Sequence, residues 1–360
     1  MGEVKGCMIL SGETKKRYGA FWEGGAYGRC CLYLTAPSGA NSAGRPVPAD
    51  VAQAWEDLDL RTQIALWDAE NTLYYADGFP SVFTNFGPGC LAAMIGGTYR
   101  WARDTVWFEN EPVITDWEGA PAPVLDRESA MYRLADTLTE KLMAAGEGRF
   151  FTSVTDIGGT YDILAALRGT QALLLDLYEH PKEVLAYAER LRPVWIEYFR
   201  QYAERAIARQ GGMTSWMPIW SDKPWYPLQC DFSAMISPEM FGEFILPGLR
   251  YYTERIDRSV YHLDGPGELP HVRHLLSLPR LSAIQWTPGS GNEDVGHERW
   301  FGLYEEIQAA GKGLVLLGVH PEELERLLRH VSTKGLYVSC GAGAGDAKEL
   351  IRMADGYGVK

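Results

Sequence analysis

A chain of 360 residues, 46% hydrophobic and 22% charged with a formal net charge of −13, can bury one large core or two smaller ones. That acidic balance, without a basic stripe, argues against nucleic acid as a partner, and no apolar run approaches the roughly 18 residues of a membrane-spanning helix. Its six cysteines form no CxxC pair, and the apolar patch Cys7-Met8-Ile9-Leu10 is too short for a signal segment, so the chain reads as a cytoplasmic protein.

Glu13 to Glu23 predicts a short helix with Tyr18, Phe21 and Trp22 on its apolar side, inside an N-terminal extension of about residues 1–28. Arg29-Cys30-Cys31-Leu32-Tyr33-Leu34-Thr35 is a compact strand, halted by Ala36-Pro37-Ser38-Gly39. Residues 40–80 form a polar, Pro/Ala-rich excursion with one helical piece near Val51–Leu66. A second strand, Ser81–Asn85, stops at Gly87-Pro88-Gly89. Residues 95–125 carry Tyr99, Trp101, Trp107, Phe108 and Trp117 in short pieces, as a decorated loop or small β subdomain. After a helix over Ser129–Ala145, a third strand, Phe150–Thr155, ends at Asp156.

Helical periodicity covers Asp162–Tyr178, and Pro181 opens a long amphipathic helix to about Ala208. Gly212 to Trp220 reads as the fourth strand, and the loop after it holds Trp225, Tyr226, Cys230 and Asp231. Ser237-Pro238-Glu239 then opens a helix, with serine as N-cap and proline at the first helical position. Strands over Arg258–Leu263, Ser282–Thr287, Gly313–Gly318 and Gly335–Cys340 alternate with helices over Gly267–Ser277, Glu298–Ala310, Pro321–His330 and Asp346–Ala354. Four consecutive βα units imply parallel strands with right-handed crossovers. With the four earlier strands the count reaches eight, so a single-domain α/β (β/α)8 TIM barrel is favoured over an open doubly wound sheet.

Such a barrel keeps its chemistry at the C-terminal strand ends. His262 and Asp264 flank one residue on a strand and so leave on one face; they are metal ligands there, or a core histidine with a loop cap. Cys340 ends the last strand, as a third ligand or as a small buried hydrophobe. Imidazole, carboxylate and thiolate together suit zinc. Cys230-Asp231 supplies a further ligand or a carboxylate behind the ligands, or is an ordinary loop pair. Asp156 and Asn85 end strands as reacting groups or as helix caps. Trp216, Trp220 and Trp286 ring the opening with flat π faces, or fill the core and lid. The glycine run Gly341–Gly345 suits phosphate at the next helix N-terminus. GxGxxG in the first βα unit, GxSxG, P-loop and HExxH patterns are all missing.

Phe21-Trp22-Glu23, Leu167-Arg168-Gly169-Thr170, Cys230-Asp231-Phe232-Ser233-Ala234-Met235-Ile236-Ser237-Pro238-Glu239-Met240-Phe241, Tyr261-His262-Leu263-Asp264-Gly265 and Ile284-Gln285-Trp286 together resemble the uroporphyrinogen decarboxylase-like superfamily. The resemblance implies a (β/α)8 barrel. It also implies one of two activities: porphyrinogen decarboxylation, or zinc-dependent methyl transfer with corrinoid proteins. The decarboxylases hold a polyanionic tetrapyrrole with an arginine-rich MRQAGR segment, and Cys31–Gly39 has no arginine, which disfavours that branch. The methyltransferases bind zinc through His-x-Cys and a later Cys-Gly. His262 and Cys340-Gly341 match, while Asp264 stands where the other cysteine would be.

The expectation is therefore a zinc methyltransferase moving a methyl group between a small O- or N-methyl substrate and a corrinoid protein. Zinc would sit on His262, Cys340 and either Asp264 or Cys230. Asn85, Trp216, Trp220, Tyr261 and Trp286 would contact substrate, with Asp156 and Asp231 as proton donors. The corrinoid would come on a partner, because no Asp-x-His-x-x-Gly signature is present. The rival expectations are a cofactor-independent decarboxylase of a smaller acid, with Arg168 at the rim, and a metal-free small-molecule-binding barrel.

Overall fold

A computed structural model describes residues 10–39, 44–108, 111–343 and 345–359. Cys7, Met8 and Ile9 of the apolar patch, the start of the 40–80 excursion, two positions of the 95–125 region and Ala344 of the glycine run lie outside the described residues. The strands, in chain order, are β1 (Cys31–Pro37), β2 (Thr72–Ala76), β3 (Ser81–Phe83), β4 (Arg100–Trp101), β5 (Val106–Trp107), β6 (Phe151–Ser153), β7 (Trp225–Leu228), β8 (Arg258–Asp264), β9 (Ala283–Thr287), β10 (Gly313–Leu316) and β11 (Leu336–Gly341).

The main sheet has seven strands in the order β2-β1-β11-β10-β9-β8-β7. All its pairings are parallel except β1 with β2. A separate parallel pair joins β3 to β6, and β4 with β5 makes a two-stranded antiparallel ribbon within the aromatic-rich 95–125 region. The architecture is thus mixed α/β around a mostly parallel sheet. The backbone ladders among the described residues do not tie the β3–β6 pair to either edge of that sheet.

Local chemistry explains where helices begin and end. Asp57 caps a helix over Leu58–Glu70 by accepting from Leu60 N at 2.9 Å, which splits the expected 51–66 helix into two. Gly169, at φ 87°, separates Thr160–Arg168 from Thr170–Glu179, where one continuous helix was expected. The long helix over Pro181–Gln210 ends at Gly211 in the left-handed conformation. Among the described residues, no helix is long and apolar enough to cross a membrane.

One expected strand is corrected. Gly212 to Trp220 does not join the sheet; the segment folds back, Met213 and Ser221 exchanging both backbone bonds at 2.8 and 3.0 Å. Pro218 lacks the N–H that a central strand requires. The ladder strand is β7, which the sequence presented as loop. Pro227 is accommodated because β7 is the edge of the main sheet, pairing only with β8. The missed β2 carries no buried face, since all five of its residues are half-exposed.

Register fixes which side chains share a face. His262 pairs with Gln285, Gln285 with Val315, Val315 with Tyr337, and Tyr337 with Cys31. These residues and those two positions away, including Asp264, Thr287 and Ser339, therefore lie on one side of the sheet. The alternate residues Tyr261, Trp286 and Cys340 lie on the other side, under the helices. The N-terminal helix Gly12–Trp22 closes the bottom of the site-bearing side: Tyr18 donates to Asp77 O at 3.0 Å, and Trp22 Nε1 to Trp220 O at 2.9 Å.

Candidate metal centre

β8 ends in His262 and Asp264, presented on one face by strand alternation. The segment after β7 brings Asp231 to the same place, as the first residue of a short 3-10 helix, Asp231–Met235. Ligand atoms of Asp231, His262 and Asp264 all lie within 4.8 Å of one another. His262 and Asp264 are half-buried, whereas the Asp231 side chain opens to solvent. Protein packed behind Asp231 still withdraws hydration and raises its carboxyl pKa. His262 opposes that shift and Asp264 adds to it.

More carboxyl groups lie behind these three. Asp156, beyond the end of β6, accepts from Gly158 N at 2.9 Å and Tyr226 OH at 3.2 Å. Burial pushes it up to about 6; the Gly158 hydrogen bond opposes the shift, and Asp231 and His262 act on it through space. Asp162 bonds Phe232 N at 2.8 Å and Gly159 N at 3.2 Å, and burial followed by Asp231 raises it. Glu268 is completely buried, with Oε2 accepting from Tyr261 OH at 3.4 Å and Oε1 without a partner. Burial and then Asp231 raise it to about 9. Among the described residues, no lysine or arginine makes an ion pair with any of these carboxyls. The donor set is therefore one imidazole with two carboxylates, among further carboxyls that no lysine or arginine pairs with, a setting in which a divalent cation would be favoured.

No protein-family model matches the chain, and no curated protein matches it in sequence. Among solved structures, a methyltransferase from Methanosarcina mazei superposes with a TM-score of 0.61 at 11% identity, over 96% of this chain and 99% of that one. The likeness is one of fold. The residues that bear chemistry are read from the geometry alone.

That geometry corrects several expectations. Cys340 cannot share an ion with His262, because it pairs with Leu34 on the helix-covered face. Burial and then Glu322, on the helix Pro321–His330, push its thiol up to about 11. Cys230 is buried beside a narrow cavity lined by Gly158, Thr160 and Tyr252, with its thiol raised by burial and then by Asp162. It is outside the cluster of three. Trp286 packs against Trp300 at 4.9 Å between sheet and helix, and Tyr261 on the same face is tied to Glu268. Trp220 sits at the bottom, 6.4 Å from Tyr18, where the fold-back of residues 212–221 delivers it. None of these three aromatics faces the cation site.

Trp216 does. It stands edge-on to His262 with ring centroids 5.0 Å apart, and its buried Nε1 has no hydrogen-bond partner. Asn85 turns inward on its own loop, Oδ1 accepting from Gly87 N at 2.9 Å. Arg168 is bound to Asp176 at 2.6 Å and to the carbonyls of Ile114 and Thr115, so it offers no free cation at the rim. The sequence reading passed over Gln285, Thr287, Asp162 and Glu268. Gln285 and Thr287 carried a signal: two polar residues at alternate positions of an otherwise apolar strand, on the face that His262 shares.

Proposed function

We propose that the chain is a methyl-transferring enzyme that holds a divalent cation, zinc by preference, on Asp231, His262 and Asp264. It would move a methyl group between a small O- or N-methyl substrate and a corrinoid carried by a separate protein, inside a barrel completed by β3 and β6. The observation that carries the reading is the convergence of three ligand atoms within 4.8 Å, two from the end of β8 and one from the 3-10 helix that follows β7. The fold likeness to a methyltransferase over nearly the whole chain supports it.

The cation, when bound, supplies Lewis acidity toward the heteroatom that bears the methyl group. The chain's own residues do the rest. Trp216 walls the site beside His262 and keeps water from one side. Asp156, at about 6, exchanges a proton near neutrality, and Tyr226 and Gly158 N hold its Oδ1 in place for that transfer. A shell without thiolate is harder than a cysteine-rich one and suits oxygen or nitrogen better than a soft thiol substrate. Decarboxylation of a small acid is less well supported, because the site gathers carboxylates and Arg168 is engaged by Asp176.

Metal analysis of the purified protein tests the reading, with methyl transfer to free cobalamin as the activity. About one zinc per chain, lost together with activity in His262→Ala, is expected. A protein that keeps its zinc in that variant, or turns over equally well without metal, would overturn the proposal.

A further inference from the structure

We infer that Gln285 is a positioning residue: it sets the tautomer and orientation of His262 so that Nε2 faces the cation site. The inference rests on the metal-binding reading above, and its test separates the two. Gln285 occupies the position register-paired with His262 on the neighbouring strand and is 1% exposed, so its amide has no water to turn toward.

Thr287, two residues along the same face, accepts from Gln285 Nε2 at 2.7 Å. With its NH2 group turned to Thr287, the amide presents its carbonyl oxygen, Oε1, to His262 Nδ1. A carbonyl oxygen only accepts, so Nδ1 carries the proton and Nε2 keeps its lone pair. Trp216, its ring centroid 5.0 Å from that of the imidazole and its plane at 84° to it, limits the rotation of the ring. The ligand nitrogen is thus prepared before any ion arrives.

The choice of an amide has a further consequence. Metal-bound histidines often lean on a carboxylate, which makes the ring a stronger donor. Here two ligand carboxylates already balance a divalent ion, and a neutral amide orients the ring without adding a third negative charge. The cation so held stays more electron-poor than it would beside a glutamate.

The experiment compares wild type, Gln285→Leu and Gln285→Glu, each with 15N-labelled histidine and each freed of metal. Long-range 1H–15N spectra at pH 8 report the tautomer of His262, whose signals are identified by their loss in His262→Gln. Wild type and Gln285→Glu should show Nδ1–H, and Gln285→Leu should shift toward Nε2–H. Zinc affinity, measured by chelator competition, should fall about 10–100-fold in Gln285→Leu and should be retained or tightened in Gln285→Glu. A wild-type ring protonated on Nε2, or a Gln285→Leu protein with unchanged tautomer and unchanged zinc affinity, would overturn the inference. If the tautomer shifts as expected but no variant binds zinc, Gln285 does orient the ring and the metal reading alone fails.

Discussion

Replacing Glu268 with glutamine should stabilise the protein above neutral pH and leave it unaltered in acid. The fold buries this carboxyl completely, leaves Oε1 without a partner, and surrounds it with Asp231, Asp162 and Asp264, which holds it at about 9 against an ordinary 4.5. A folded pKa above the unfolded one means that the folded state binds the extra proton. Its contribution to stability is therefore complete below pH 4.5 and is lost as pH rises toward 9. At about 1.4 kcal/mol per pH unit, roughly 3 kcal/mol is gone by pH 7. That sets the upper end, since water reaching the cluster or a cation at Asp231 relieves the charge. Glutamine keeps the shape and an acceptor for Tyr261 OH without ever ionising. Urea unfolding at pH 5 and pH 8, on chelator-treated protein, should show the variant gaining on wild type by up to about 4 kcal/mol across that interval. Stability profiles that run parallel between the two pH values would refute the reasoning.

Two further outcomes follow from the same geometry. Cys340→Ala should leave zinc content untouched, because the thiol lies under the helices, and should cost about 1 kcal/mol in unfolding free energy from the small void; a fall in zinc affinity would return the sulfur to the site. Asp156→Asn should keep fold and metal content while turnover drops about 10²–10⁴-fold. Unchanged turnover at neutral pH would remove Asp156 from proton transfer.

Much of the fold was legible because hydrophobic periodicity is a local property. The alternation from β8 to β11 followed directly from short apolar strands separated by amphipathic helices. Failure came between residues 212 and 228: the run over 212–220, read as the fourth strand, is turned back and contains Pro218, so the ladder strand falls one segment later, in β7, where an edge position tolerates Pro227. At the site, His262 and Asp264 were legible from their spacing alone. Cys340 misled because strand parity holds within one strand, whereas facing across strands depends on register, which the sequence does not print. Asp231 joined the cluster through a loop whose path no periodicity describes. Asp231 was read from the sequence as a carboxylate near the site, but Glu268 was not: its burial goes with the packing of two short 3-10 helices, Asp231–Met235 and Pro266–His271, against each other.

X-ray absorption at the zinc edge of the loaded protein tests the central claim most directly, since nitrogen and oxygen ligands scatter from about 2.0–2.2 Å and a thiolate from about 2.3 Å. A first shell of only nitrogen and oxygen, losing its imidazole signature in His262→Ala, is the predicted result. A sulfur scatterer in that shell, or an imidazole signal that survives the substitution, would contradict it.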